Sequence, residues 1–314
     1  MAENAVNIDN AAGSNWFSRV YFLGIGGRGM SALARYYVTR GFLVAGYDST
    51  PSAMTRQLES LGILISYQDD ARTIPEMFRD RKQTLVVRTP AVPETSPLCQ
   101  YFEGNEFRVR KRAAVLGDIT KLRHMHALCV AGTHGKKDTT AMLAHLLYQS
   151  EIGTNAFLGQ PSKNYGSNLL LQPESNLVVI QADAYDRSFL QLSPMMAIVT
   201  STEPEYVEIF GNEEAFHESY SQFTSLVEKG GLLLRRQGIR LESRLQAGTK
   251  EQTYGIAGEQ ETLPDYYADN IEITEQAIHF DFHAPQMTIE HVKLGVHEEK
   301  QIANAVAAMA IAWL

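Results

Sequence analysis

Cysteine and long apolar runs are both scarce in this sequence. Its 314 residues contain two cysteines, Cys99 and Cys129, with no CxxC pair and no cluster of Cys and His at zinc-binding spacing, which argues against a disulfide framework or a structural zinc site. No apolar run approaches the roughly 20 residues that span a bilayer. Residues 1–15 are acidic and polar where a secretory signal needs a basic start and an apolar middle. We therefore predict a cytoplasmic protein without membrane insertion, which begins with a disordered tail over residues 1–15.

An excess of positive charge is absent as well. The chain carries 28 Lys and Arg against 36 Asp and Glu, a formal net charge of -8. This balance argues against a general surface for nucleic acid or anionic lipid. A basic patch, "FRVRKRAAVLG" at residues 107–117, either steers an anionic substrate or forms a solvated strand edge. Any other anion must be held by local groups, such as the backbone N–H groups that begin a helix.

The order of apolar segments predicts an α/β fold. Two stretches have the pattern of strand, glycine loop and helix: "VYFLGIGGRGMSALARYYVTRG" and "HALCVAGTHGKKDTTAMLAHLL". We predict an N-terminal Rossmann-like parallel-sheet domain over residues 16–122 and a P-loop-type central α/β domain over residues 123–314. Alternating segments between residues 245 and 293 predict a more antiparallel part, and Gly230 predicts the end of a preceding helix.

The first glycine loop predicts a nucleotide diphosphate site. Gly24, Gly26 and Gly29 follow a strand and open a helix, so the backbone can approach a diphosphate closely at the helix N-terminus. Asp48 ends the next strand, where an acid can bond a ribose hydroxyl. Two alternatives stay open: a glycine turn that only lets helix and strand pack, and an NAD-dependent oxidoreductase, which rests on this loop alone.

The second glycine loop predicts a phosphate site with two departures from the P-loop pattern. Gly132 and Gly135 permit a tight turn, and Lys136 at the start of the helix can reach β- and γ-phosphates. Val130 stands where the pattern has its first glycine, and Lys137 where it has the hydroxyl that binds Mg²⁺. The alternative is a structural turn between strand and helix.

Taken in order, six blocks of the sequence resemble the Mur ligases. They are "FLGIGGRGMSALA", "VAGTHGKKDTTAMLAHLL", "KNYGSN", "ADAYDRSFLQLSP", "VTSTEPEYVEIFG" and "NAVAAMAIA". The resemblance is greatest to the members that join L-alanine to UDP-N-acetylmuramate. It implies a UDP-sugar-binding domain, a central ATPase domain and a C-terminal amino-acid-binding domain. This chain resembles the first two and stops at Leu314 in an unfinished helical pattern, so we expect the third domain to be absent through truncation.

The resemblance also implies a reaction and its residues. ATP would phosphorylate the lactyl carboxylate of UDP-N-acetylmuramate, and the amine of alanine would displace the phosphate to form an amide, with Mg²⁺ as the cofactor of ATP. The implied catalytic residues are Lys136, on the γ-phosphate, and His134 in the same loop. Further residues implied for ATP are Gly132, Thr133, Gly135 and Asn304. Those implied for the UDP-sugar are Gly24, Gly26, Gly27, Gly29, Ser31, Asp48, Asn164 and Ser167.

The sequence departs from the family at positions implied for Mg²⁺. Lys137 stands in place of Thr, Gln181 in place of Glu and Tyr206 in place of His. An amide lacks the charge that Mg²⁺ needs and an ammonium repels it, and each such loss typically lowers a rate about 10²- to 10³-fold. We therefore expect no intact metal site and strongly impaired ligation.

Three alternatives follow from these departures. The first is a UDP-sugar-binding pseudoenzyme or regulatory protein, which binding of the nucleotide-sugar without binding of ATP would favour. In the second, Lys137 itself supplies the missing cation. In the simplest interpretation, Lys137 and Asp138 are a solvated charge pair on the first helical turn, where the acid suits the helix dipole and the lysine does not.

Overall fold

The computed structural model describes residues 17–122, 125–205, 207–295 and 298–314. The predicted tail over residues 1–15 and the predicted metal position Tyr206 lie outside the described residues. The described residues separate into two compact units, the first made of residues 17–122 and 159–169, the second of the described residues within 125–158 and 170–314. The predicted boundary between residues 122 and 123 did not anticipate the return of residues 159–169 to the first unit.

Short apolar runs form the sheet of the first unit. Its strands in the described residues are β1 (Arg19–Leu23), β2 (Leu43–Tyr47), β3 (Leu64–Ser66), β4 (Thr84–Arg88) and β5 (Arg108–Lys111). They are all parallel and lie in the order β3-β2-β1-β4-β5. The strand order changes direction between β1 and β4, so a crevice opens beyond their carboxyl ends, where α/β proteins bind ligands.

Two of the α-helices of the first unit begin at side-chain caps, Ser52 and Ser96. The α-helices of this unit are α1 (Arg28–Thr39), α2 (Ala53–Glu59), α3 (Pro97–Gly104) and α4 (Arg112–Thr120), with 3₁₀ turns at Ala71–Thr73 and Glu76–Arg79. Ser52 and Thr55 form a capping box at α2, where Thr55 N donates to Ser52 Oγ at 3.1 Å. Against the sheet, the rings of Tyr21 and Phe102 lie 5.0 Å apart in a fully buried aromatic cluster. The start of α2 is thus set by local hydrogen bonds. Burial of apolar surface sets how the elements pack against one another.

The second unit has a larger, mixed sheet. Its strands are β6 (His126–Ala131), β7 (Asn155–Phe157), β8 (Leu169–Leu170), β9 (Leu177–Gln181), β10 (Met196–Val199), β11 (Leu232–Arg236), β12 (Lys250–Ile256), β13 (Tyr266–Ile273), β14 (Ile278–Ala284) and β15 (Met287–Leu294). Among the described residues they lie in the order β15-β14-β13-β12-β11-β10-β6-β9-β7-β8. Strand β6 is parallel to both neighbours, β9 and β10. The loop that follows β6 therefore emerges between the carboxyl ends of two other strands.

Two helices of the second unit support that loop. The helices are α5 (Lys136–Gln149), α6 (Val207–Phe210), α7 (Glu213–Ser225) and α8 (Lys300–Trp313), with a 3₁₀ segment at Tyr185–Gln191. Helix α8 is rich in alanine and buried over most of its length, and it packs against α5, β12 and β13. Small side chains allow this close approach. In the part of the chain that the structure describes, no helix is long and apolar enough to cross a membrane.

The structure confirms the predicted fold class and corrects two details. The helix that Gly230 was predicted to end stops earlier, at Ser225, because Val227 is buried and Glu228 N donates to Pro194 O at 2.9 Å, which turns the chain toward β11. The part between residues 245 and 293 is antiparallel only from β13 to β15. Strand β12 pairs in parallel with both β11 and β13.

Candidate functional site

The glycines of the second loop have conformations and surroundings that other residues would not tolerate. Gly132 has φ of 143° and Gly135 has φ of 80°, in the region that L side chains rarely adopt. A Cβ atom on Gly132 would lie 2.0 Å from Thr200 Oγ1, and one on Gly135 would lie 2.6 Å from Asn304 Oδ1. Gly135 is the N-cap of α5. The loop thus delivers the chain from β6 directly into a helix N-terminus, whose first N–H groups lack intrahelical partners.

Hydrogen bonds to the end of β10 hold this loop in place. Thr133 N donates to Ser201 O at 3.2 Å, and the hydroxyls of Thr133 and Ser201 lie 3.1 Å apart. Thr200 Oγ1 lies 2.5 Å from His134 O and 3.1 Å from Ala131 O. Thr200 and Ser201 were not predicted as site residues. The feature that could have identified them is their position directly after the apolar strand β10, which is parallel to β6.

A cavity of about 790 Å³ opens beside the loop within the second unit. Its wall includes the cationic side chains of Lys136, Lys137, Lys300 and Arg236. Arg236 Nη2 is already bound to both carboxylate oxygens of Glu259, at 3.0 and 2.8 Å. The cavity has the volume range of small-molecule sites, and its loop side combines lysine ammonium groups with a helix N-terminus, an arrangement that binds anions.

His134 faces acidic side chains at the same loop. His134 Nε2 lies 3.2 Å from Glu203 Oε2, and His134 Nδ1 lies 3.9 Å from Glu205 Oε1. All three side chains are at least one-third exposed, so the pairing is screened by water. The structure thus brings the predicted residue His134 beside Glu203, which the sequence analysis had not assigned to a site.

Helix α8 reaches the loop through a chain of side-chain hydrogen bonds. Gln301 Nε2 donates to Asp138 Oδ2 at 3.0 Å, and Asn304 Nδ2 donates to Gln301 Oε1 at 2.9 Å. Asn304 is buried against Gly135, and its predicted role in ATP binding stays a prediction. The interpretation of Lys137 and Asp138 as a solvated pair is wrong for Asp138, because its carboxylate is engaged by Gln301. Lys137 is exposed and lines the cavity.

The first glycine loop lies at the crevice beyond β1 and β4. Gly24 has φ of 85°, and a Cβ atom there would lie 2.5 Å from Thr89 Cγ2. The carboxylate of Asp48 accepts a hydrogen bond from Gly26 N at 2.7 Å. Asp48 therefore holds the loop in this structure. The sequence analysis predicted only a role at a ribose for this residue and did not foresee this contact.

A basic side chain covers the start of α1. A Cβ atom on Gly29 would lie 2.8 Å from Arg112 Nη1, so the guanidinium occupies the space that the missing side chain leaves. Gly27 is the N-cap of this helix. Arg112 thus adds a positive charge to a helix N-terminus, and the anion-steering interpretation of the basic patch stays a prediction.

Residues 159–169 join this loop within the first unit. Asn168 Nδ2 donates to Ser31 Oγ at 3.1 Å and to the carbonyl of Arg28, and Ser167 Oγ accepts from Arg35 Nη1 at 3.0 Å. Ser31 is fully buried, so it supports the loop from beneath, and its predicted place on a diphosphate stays a prediction. Asn164 is exposed. The sequence analysis did not predict that Asn168, the last residue of "KNYGSN", joins residues 159–169 to the start of α1.

The fold and the two loops define an α/β protein built to hold nucleotide phosphates. Residues 19–124 match the Mur ligase family, catalytic domain, and residues 130–312 match the Mur ligase middle domain. The chain belongs to the Mur ligase family. Proteins of this family are ATP-dependent and generally require Mg²⁺.

Named relatives agree with this assignment. The chain is 50% identical over 300 residues to the UDP-N-acetylmuramate–L-alanine ligase of Parabacteroides distasonis, covering 96% of this chain and 64% of the relative. It is 48% identical over 296 residues to that of Porphyromonas gingivalis, covering 94% and 64%. The solved UDP-N-acetylmuramate-alanine ligase of Thermotoga maritima shares its fold, with a TM-score of 0.79, 24% identity, and coverage of 93% of this chain and 64% of that one. The chain thus spans about 64% of the length of the curated relatives it matches.

The residues around the second loop do not fit a divalent metal ion. Lys137 presents an ammonium to the cavity, and Gln181, whose register partner is Val130 of β6, ends β9 with a neutral amide. Thr139 and Thr140 are buried and do not line the cavity. Within the described ranges, no three His, Cys, Asp or Glu side chains are grouped so that they could hold a metal. Magnesium at a nucleotide is usually held by one or two carboxylates together with phosphate and water oxygens, and the ammonium of Lys137 and the neutral amide of Gln181 supply neither negative charge nor a carboxylate at the predicted positions.

Proposed function

We propose that this chain supplies the UDP-sugar-binding and nucleotide-phosphate-binding units of a cytoplasmic UDP-N-acetylmuramate–L-alanine ligase. The observation that carries the proposal is the loop between β6 and α5, which combines two obligatory glycines, Lys136 and a cavity of about 790 Å³. The names of the relatives that are about half identical support the same substrate pair. The first unit would bind UDP-N-acetylmuramate, and the second would bind ATP.

In the proposed reaction, a lactyl carboxylate oxygen attacks the γ-phosphorus of ATP and ADP leaves. The alanine nitrogen then attacks the acyl carbon, inorganic phosphate leaves, and the nitrogen loses a proton as the amide forms. Transfer of a phosphoryl group depends mainly on positioning and on neutralising charge. Lys136 would neutralise the β- and γ-phosphates, while the N–H groups that begin α5 would orient them. His134, next to Glu203, would lie at the transferred phosphate.

For the UDP-sugar, we propose that the diphosphate lies on the N–H groups at the start of α1. The guanidinium of Arg112 would share its charge, and Asp48 would lie toward the uridine. Asn164 and Ser167 would contact the sugar side, because residues 159–169 fold onto the first unit. The amino-acid preference for alanine rests on the relatives alone.

We expect the ligation itself to be slow or absent in this chain. The family's cofactor supplies positive charge that stabilises the transferred phosphoryl group, and the side chains around Lys137 and Gln181 do not fit it. Loss of a single well-placed electrostatic group lowers a rate by about 10²- to 10³-fold. A UDP-sugar-binding protein without ligase activity is therefore the second candidate.

Calorimetric titration with UDP-N-acetylmuramate tests the first unit. We expect binding that Arg112→Met weakens about tenfold, the typical loss of one charged hydrogen bond. Arg81→Met is the matched control, because Arg81 is exposed and pairs only with Glu106 among the described residues. NADH should not bind. Binding of NADH without binding of the UDP-sugar would contradict the proposal and favour an oxidoreductase.

A radiolabelled-alanine assay separates the two candidates. The chain is incubated with UDP-N-acetylmuramate, ATP, Mg²⁺ and labelled alanine, and the product is counted beside that of the ligase from Parabacteroides distasonis. Product at a rate lowered about 10²-fold or more, together with UDP-sugar binding, supports an impaired ligase. UDP-sugar binding with no product and no ATP consumption supports the binding protein.

A further inference from the structure

We propose that the second glycine loop binds its nucleotide as a metal-free polyphosphate anion, with the Lys137 ammonium as the neutralising cation. The inference rests on the proposed nucleotide binding of the second unit. It follows from which charges face the cavity and which of them are already paired. It also explains why a lysine occupies an exposed position on the first turn of α5, where the helix dipole disfavours it.

The acidic groups near the loop already have partners. Asp138 accepts from Gln301 at 3.0 Å, Glu203 lies 3.2 Å from His134, and Glu259 binds Arg236 at 2.8 Å. Part of the charge of each carboxylate is therefore already balanced within the protein, which lowers its attraction for a metal ion.

Of the three lysine side chains that line the cavity, one is paired with an acid and two are not. Lys300 Nζ is paired with Glu298 at 2.7 Å. Lys136 and Lys137 have no ion pair or hydrogen bond from their side chains within the described part of the chain, and both line the cavity. Two unpaired ammonium groups on adjacent residues, next to a helix N-terminus, favour a ligand with several negative charges.

The hydroxyl groups near the loop are held by contacts within the protein or are buried. The hydroxyls of Thr133 and Ser201 lie 3.1 Å from each other, and Thr200 Oγ1 lies 2.5 Å from His134 O. Thr139 and Thr140 are buried behind the cavity wall. A divalent cation would thus meet the Lys137 ammonium without a ligand set that offsets the repulsion.

A measurable signature follows. In solution Mg²⁺ binds the phosphates of ATP and cancels part of their charge, so it competes with a protein that uses lysines for the same oxygens. The loop should therefore bind ATP more tightly in EDTA than in excess Mg²⁺, which is opposite to the behaviour of a metal-dependent site. Tripolyphosphate should show the same preference, because the phosphates carry the interaction.

The test is calorimetric titration of the whole chain with ATP and with tripolyphosphate, each in EDTA and in excess Mg²⁺ at equal ionic strength. We expect affinity in EDTA to exceed that in Mg²⁺ by about tenfold, and Lys137→Met to lose about tenfold in EDTA, as for one charged hydrogen bond. Lys229→Met, at an exposed lysine outside the cavity, is the control and should bind like the parent. Lys137→Thr should lose the preference for EDTA. Thermal unfolding followed by circular dichroism checks that each variant folds.

The other outcomes are distinct. Binding of ATP only with Mg²⁺ would overturn this inference while leaving the proposed nucleotide site in place. Equal affinity of the parent and Lys137→Met in EDTA would also overturn it, because the ammonium would then not contact the phosphates. No binding of ATP or tripolyphosphate in either condition would refute both this inference and the proposed nucleotide binding, while leaving UDP-sugar binding by the first unit untouched.

Discussion

Substitution of Gly135 by alanine should destabilise the second unit through one specific contact. Gly135 has φ of 80°, and an added Cβ would lie 2.6 Å from Asn304 Oδ1. Asn304 cannot easily move away, because it is 6% exposed and its amide nitrogen donates to Gln301. The perturbation therefore combines an unfavourable backbone conformation with a steric overlap at a constrained side chain.

The two contributions have separable magnitudes. A non-glycine residue in the left-handed region costs about 1–2 kcal/mol, and overpacking a well-packed site costs about 1–3 kcal/mol. Gly230 isolates the first contribution, since its φ is also 80° but no atom lies within 4 Å of an added Cβ. We expect Gly230→Ala to lower the free energy of unfolding by about 1 kcal/mol and Gly135→Ala to lower it by about 2–4 kcal/mol.

Urea titration followed by circular dichroism measures both variants, on the same unfolding transition. Gly135→Ala is then repeated in an Asn304→Ala background, which removes the overlapping oxygen. If the contact with Asn304 is the cause, the effect of Gly135→Ala in that background should fall to that of Gly230→Ala. Equal effects of Gly135→Ala and Gly230→Ala in the parent chain would refute the reasoning, because the overlap would then have no energetic consequence.

Three further predictions concern other parts of the molecule. Asn168→Ala removes two hydrogen bonds to the start of α1 and should lower the free energy of unfolding by about 1–3 kcal/mol, whereas Asn164→Ala, at an exposed position, should leave it unchanged in the same urea titration. Burial raises the pKa of the thiols of Cys99 and Cys129, so thiolate is scarce at mildly alkaline pH, and iodoacetamide should modify both in urea but neither in the folded chain, as mass spectrometry would reveal. Hydrogen bonds from a side-chain amide and a backbone N–H hold the pKa of Asp281 below its usual value of 3.8. The resulting stabilisation is present above that value and is lost as the pH falls through the folded-state pKa. Asp281→Asn should therefore reduce the decline in the free energy of unfolding below about pH 4. An unchanged dependence of that free energy on pH in this range would contradict the prediction.

Much of the fold could be predicted because it depends on short, local stretches of the sequence. The strand, glycine loop and helix around Gly24 and again around Gly132 depend on local periodicity and on backbone conformations that glycine alone adopts readily. The same locality explains why the ordered blocks identified the family. Predicted boundaries were less accurate where a tertiary contact ends an element, as the hydrogen bond from Glu228 to Pro194 does after α7.

Sequence analysis could nominate residues for the candidate site but not their contact partners. Local pattern and resemblance named Lys136, His134 and Asn304, and the structure brings all three to one loop. Their contacts with Thr200 and Ser201 depend on the strand order of the sheet, which places β10 beside β6. Periodicity does not encode which strands become neighbours.

By itself, the sequence determined the α/β class, the two glycine loops, the family and the residue types at the predicted metal positions, because each of these is a property of residue type or local spacing. The tertiary structure alone decided that Asn168 joins Ser31 in the first unit and that Gln301 engages Asp138 in the second. These partners are separated by more than a hundred residues along the chain, and they meet only because burial of apolar surface fixes how distant segments pack.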